Sequence, residues 1–169
     1  MTISRRQVLQ WTAALGLASS VAIGVNVSKW WNTDPDTPYV NLNLLEANVV
    51  NAISGAAFPA GSTINLNGGQ AGLDRFFDEL LSAMSSENRT LLKLLLEAID
   101  RATLPTHTTY FTALSLEERQ LCIQQWLHNP SHLIRGAIQS MIVLLGMGYT
   151  AHPIASEHLS QYFRCGFGG

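Results

Sequence analysis

Charge is scarce in this chain: Lys, Arg, Asp and Glu together supply only 13% of its 169 residues, and no basic cluster interleaved with aromatics occurs. Of the ten Lys and Arg, three (Arg5, Arg6 and Lys29) precede Trp31, so the remaining seven share the body with all twelve Asp and Glu. That acidic body argues against nucleic acid as a partner. HExxH, GxSxG and GxGxxG are missing too, which removes the motif evidence for a zinc pair on one helix face, a nucleophile elbow or a dinucleotide-binding turn. Gly68-Gly69 has no following Lys and no preceding strand, so it is not a phosphate cradle. Alternation of apolar and polar residues is confined to residues 63–66, and no internal repeat is visible. With strands excluded and 47% apolar residues, the class is all-α, an orthogonal or up-down bundle of about five helices forming one domain.

What is present begins with leucine. In residues 88–104, NRTLLKLLLEAIDRATL, Leu91, Leu92, Leu94, Leu95, Leu96, Ala98, Ile99 and Ala102 cover more than half of a helical wheel. An arc that wide predicts a helix enclosed by neighbours on two sides. Before it, residues 39–54 form an amphipathic helix with Leu42, Leu45, Val49, Ala52 and Ile53 inward and a solvated Asn row, Asn41, Asn43, Asn48 and Asn51. Phe58-Pro59 and the adjacent glycines end it. Residues 73–84 make a second helix, expected to pack on the leucine helix through a short hairpin capped by Ser85 or Ser86. Ser115 and Glu118 have capping-box spacing at the start of a fourth helix, which Pro130 ends. A fifth, residues 133–145, is apolar almost all round, is expected to be buried and broken at Gly146-Met-Gly148, and is too polar in its first half to span a membrane. An irregular tail follows, with at most a short helix over residues 153–160.

The N-terminus carries the clearest functional pattern. Ser4-Arg5-Arg6-Gln7-Val8-Leu9 precedes residues 11–27, which contain no charge. This resembles the bacterial twin-arginine export signal, matching it at Ser4, Arg5, Arg6 and Leu9 while Val8 and Gln10 depart from it. The segmentation is therefore a signal or membrane anchor over residues 1–30, a linker over 31–39 and a helical domain over 40–169. No clean cleavage site follows the apolar run, and about 17 residues is the short limit for a membrane span. Removal and retention both place the body in the periplasm or on the periplasmic face of the inner membrane.

Intrinsic chemistry is thin. His128 and His132 have zinc-pair spacing, but Asn129-Pro130 breaks the helix between them. His107, His152 and His158 have no Cys or carboxylate at ligand spacing, so no metal and no catalytic residue is assigned. Cys122 lies on the inner side of its helix. An intrachain disulfide with Cys165, a bond from Cys165 to a partner, and two free thiols all remain open.

Taken in order, several segments resemble the small-subunit family typified by subunit 3 of gluconate 2-dehydrogenase. They are the twin-arginine leader, Ala57-Phe-Pro-Ala-Gly61, Leu73-Asp-Arg-Phe76, the leucine helix, Phe111-Thr-Ala-Leu-Ser-Leu-Glu-Glu-Arg119, Gln125-Trp126 and the late helix reaching Gly148-Tyr149. The tail departs from the family pattern. The resemblance implies a non-catalytic partner of a flavin-dependent dehydrogenase of the glucose-methanol-choline type. This chain would hold no cofactor, FAD would belong to the large subunit, and electrons would pass to a cytochrome c subunit or a quinone. The large subunit would leave the cytoplasm with this chain through the twin-arginine translocase. Phe58, Pro59, Tyr110, Phe111 and Trp126 are then the candidate partner contacts. Two rival classes are a free-standing, envelope-anchored helical protein that binds a small apolar ligand, and a minor hydrolase or thiol enzyme using Cys122 or the histidines.

Overall fold

A computed structural model of the chain describes residues 37–61 and 64–162. Among the described residues there is no strand, and the all-α expectation holds. Six helices carry the described fold: α1 (Leu44–Ala57), α2 (Leu73–Ser82), α3 (Ser86–Arg101), α4 (Leu116–Leu127), α5 (His132–Ala151) and α6 (Pro153–Tyr162). A single helical turn at Leu104–His107 and 3-10 turns at Gly68–Gln70 and Phe111–Ala113 bridge them.

The central helix is α1, and the leucine-rich α3 is not. Nine of the fourteen residues of α1 are buried, against three of sixteen in α3, namely Leu96, Ile99 and Asp100. The reason is side-chain size. Ala47, Val49, Val50, Ala52, Ile53, Gly55 and Ala56 are small or β-branched, so α2, α3, α4, α5 and both 3-10 turns can all approach α1 closely. Gly68 takes this furthest, since a Cβ there would lie 2.2 Å from the Ser54 carbonyl oxygen.

The start of α1 is fixed by polar residues that sequence periodicity placed on a solvated face. Asn43 caps the helix, its Oδ1 accepting from Glu46 N at 2.8 Å while Glu46 Oε2 accepts from Asn43 N at 2.9 Å. Asn41 is buried as well, donating through Nδ2 to the Asp78 carbonyl and to Ser82 Oγ. Glu46 is almost fully buried and pairs with Lys93 Nζ at 3.1 Å; the same ammonium donates to the Asn41 carbonyl at 2.8 Å. This network ties the start of α1 to α3. Burial pushes the Glu46 carboxyl above the usual carboxylate range, and the Asn43 amide and Lys93 pull it part of the way back.

Residues just before α1 run along α2. The Tyr39 hydroxyl donates to Asp74, and the Asp78 carboxylate accepts the backbone N–H groups of Val40, Asn41 and Leu42 at 2.9, 2.7 and 2.8 Å. Accordingly α2 packs mainly on α1 and α5 rather than on the leucine helix. Ser85 caps α3 as expected, and Ser115 and Glu118 form the expected capping box of α4.

Helix α5 is continuous through Gly146 and Gly148 to Ala151, so the expected break does not occur. Gly148 is used for contact, because a Cβ there would lie 2.4 Å from the Phe76 ring of α2. Nor is α5 enclosed: only Ile138, Met141, Leu145, Gly148 and Tyr149 are buried. By length and composition it is apolar enough to cross a bilayer, although its first half had read as too polar. Its inner face packs on α4, α2 and α1. The Tyr149 hydroxyl donates to the Leu66 carbonyl at 2.9 Å, and its ring stacks on Phe58 with centroids 4.8 Å apart. The short helix expected over residues 153–160 is present as α6, which runs two residues further and packs on α5.

Candidate partner interface

The apolar arc of α3 is wide because the helix carries two faces. Leu92, Leu95, Leu96 and Ile99 lie in or against the core, while Leu91, Leu94, Ala98 and Ala102 lie on the adjoining, outer side of the helix. Leu91 is 63% exposed and Leu94 44%. Helix α5 repeats the pattern: its second face carries Leu133, 82% exposed, together with Val143 and Met147. Arg135 is the one Lys, Arg, Asp or Glu in α5. Its guanidinium is turned back onto the Asn129 carbonyl at 2.8 Å and onto His132 Nδ1, leaving the outer face uncharged.

These two faces converge on a groove of about 390 Å³. Leu95 and Ala98 of α3, with Ala102 just past its end, form one wall, Leu133, Ile134 and Ala137 of α5 form the other, and Trp126 and Asn129 close the end of α4 between them. Asn129, the one polar lining residue, is already committed, its Oδ1 accepting from Ser131 N at 2.9 Å. Contiguous exposed apolar surface in general marks a contact with a protein, a membrane or a ligand. Such a surface can bind by desolvation, and it supplies nothing for proton or electron transfer.

The contact residues expected from sequence separate into surface and interior. Phe111 is fully buried and is core, with Trp126 tilted against it at 5.4 Å. Phe58 is half-buried beneath Tyr149. Pro59 and Tyr110 are exposed, and Trp126 lines the groove. Ser4, Arg5, Arg6, Leu9 and Cys165 lie outside the described residues. The outer faces of α3 and α5 were missed because a wide apolar arc was read as one enclosed surface. Lys93, Glu97 and Arg101 lie opposite the apolar arc, so the outer and inner leucines run together round the helix with no polar boundary between them.

A second recess, about 450 Å³, lies between α1, the end of α3 and the start of α4, and is lined by Asn48, Asn51, Asp100, Thr112 and Arg119. Three of these residues serve the fold: Asp100 Oδ1 accepts both the backbone N–H and the hydroxyl of Thr112, at 3.0 and 2.9 Å, and Arg119 Nε donates to the Leu114 carbonyl at 3.0 Å, whereas Asn51 Oδ1 is buried without a hydrogen-bond partner.

Cys122 is buried, with Sγ 3.7 Å from His107 Nε2. Burial pushes its thiol up and the nearby Glu118 carboxylate adds to the shift, the reverse of what an activated nucleophile needs. His128 ends α4 and His132 begins α5, so the two do not share a helix face. Among the described residues no group of three or more His, Cys, Asp or Glu could hold a metal ion.

A family model described as gluconate 2-dehydrogenase subunit 3 matches residues 45–169. No curated protein and no solved structure matches the chain.

Proposed function

This chain belongs to the gluconate 2-dehydrogenase subunit 3 family, and on that premise we propose that it is the non-catalytic small subunit of a flavin-dependent dehydrogenase. The family is a subunit of a multi-subunit dehydrogenase complex, which supports a dehydrogenase as the partner. In this reading the small subunit binds the large one through the outer faces of α3 and α5. It steadies the large subunit and takes it, already folded, through the twin-arginine pathway to the periplasm, where a cytochrome c subunit or quinone receives the electrons. FAD sits in the large subunit.

The observation that carries the reading is the uncharged groove and the two apolar faces leading into it. A hollow of 390 Å³ alone is of small-ligand size. The exposed faces continue beyond it to Leu91 on α3 and to Met147 on α5, a span suited to a protein surface. That extent favours a partner subunit over the free-standing ligand binder. The Cys122 environment likewise weighs against a thiol enzyme.

Export is tested at the signal. Replacing Arg5 and Arg6 together by Lys keeps the charge and removes the guanidinium pair, so the flavoenzyme should accumulate in the cytoplasm while its flavin content is unchanged. A flavoenzyme that reaches the periplasm in full amount in that strain would overturn the export role.

A further inference from the structure

The recess between α1, the end of α3 and the start of α4 holds two opposite charges that do not pair. Asp100 lines it and is only 6% exposed, yet among the described residues it makes no ion pair; Lys93 pairs with Glu46, and Arg101 with Glu97. Its Oδ1 is taken by the backbone N–H and hydroxyl of Thr112, whereas no described residue donates to Oδ2. Arg119 is half-buried on the same lining, and of its donors only Nε is used, on the Leu114 carbonyl. An enclosed carboxylate is costly unless a cationic donor meets it, and an open guanidinium fork matches a carboxylate.

We propose that this recess binds a small zwitterion of the α-amino acid type, its ammonium group donating to Asp100 Oδ2 and its carboxylate accepting from the two Nη groups of Arg119. The site is held ready. Thr112 fixes Asp100 from one side and the Leu114 carbonyl fixes Arg119 from the other, so the two charges stay apart instead of neutralising each other. A volume of about 450 Å³ lies within the range of small-molecule sites.

Ligand charge follows from the lining. A simple cation would leave the Arg119 fork unmet, and a simple anion would face the Asp100 carboxylate, whereas a zwitterion meets both and brings no net charge into the recess. Asn48 and Asn51, three residues apart on α1, add carboxamides that both donate and accept. Asn51 Oδ1 is enclosed without a hydrogen-bond partner, and turning that carboxamide toward the ligand ammonium gives it the donor it lacks. The recess shares no lining residue with the apolar groove, so this binding does not depend on the subunit contact proposed above.

The test titrates the purified full-length chain with each proteinogenic L-amino acid, followed by calorimetry and by amide NMR signals. For the tightest of them, the decarboxylated amine and the deaminated acid serve as one-charge controls, and sorbitol as a neutral polyol. Saturable binding that shifts the Asn48, Asn51 and Thr112 signals is the expected result, with every control about tenfold weaker or more. Arg119→Gln, with its Tm unchanged, should weaken the same amino acid about tenfold, and Asp100→Asn should do likewise. Should loss of the Thr112 contacts unfold the Asp100→Asn chain, the one-charge controls on the parent chain decide the point without it. No saturable shift with any amino acid would overturn the proposal. So would a control that binds as tightly as the zwitterion, or full binding in the folded Arg119→Gln chain.

Discussion

Charges placed on the outer faces of α3 and α5 should break the complex and spare the fold. Leu94→Glu combined with Leu133→Glu alters side chains that are 44% and 82% exposed, so neither leaves a cavity. Surface changes of this kind shift stability by about 0.5 kcal/mol or less each. Fully burying a leucine contributes about 1.5–3 kcal/mol. Scaled by the exposure each retains, the pair has about 3 kcal/mol left to gain from a covering partner. Losing that corresponds to a roughly hundredfold weaker complex, before any cost of desolvating two carboxylates. The assay is the Kd between this chain and the dehydrogenase subunit, read beside the Tm of this chain alone. A Tm within about 4 °C of the parent and a Kd raised a hundredfold are expected. An unchanged Kd at unchanged Tm would refute the placement of the interface, and a collapsed Tm would refute the claim that these faces are free of the core.

Asp78→Ala removes the acceptor shared by three backbone N–H groups, two of them on the buried residues Asn41 and Leu42. With about 1–3 kcal/mol for each orphaned buried donor, denaturant unfolding should show a loss of roughly 2–5 kcal/mol; less than 1 kcal/mol would mean that the segment before α1 is not held by this carboxylate. Glu46 gives a pH signature. Its carboxyl is raised by burial, so its contribution to stability is fully present below the ordinary carboxyl pKa and is lost as pH rises through the raised value. Glu46→Gln abolishes that titration, so the stability of the variant relative to the parent should climb with pH across that window; a relative stability that falls with pH would contradict the assignment.

Capping chemistry made much of the fold legible. Ser85, Ser115 and Glu118 sit where spacing placed them because a cap depends on the residue and its immediate neighbours, and the turns at Phe58-Pro59 and Pro130 follow from the same local rules. Periodicity misled where the question was which helix lies inside. Leucine-rich α3 outranks α1 in apolar bulk, yet centrality went to small residues such as Ala47, Val50 and Ala56, whose value lies in how closely other helices can approach them. Asn41 and Asn43 read as solvated because a polar side chain on a helix edge looks alike whether it meets water or the Asp78 carbonyl. The same ambiguity hid the outer faces of α3 and α5, since an exposed apolar face and a buried one have identical sequence patterns and only the packing of neighbours separates them. Of the aromatic residues, Trp126 lines the groove and Phe111 is fully buried in the core.

The central claim, that this chain is the small partner of a flavoenzyme, is tested most directly by affinity purification of the tagged full-length chain from the periplasm and membrane of its own cells, with flavin absorbance and dehydrogenase activity measured on the eluate. The expected result is a larger co-purifying subunit that carries the flavin and reduces an artificial electron acceptor, and that is lost with the Leu94→Glu and Leu133→Glu pair. A monodisperse, flavin-free chain that is fully stable on its own would contradict it.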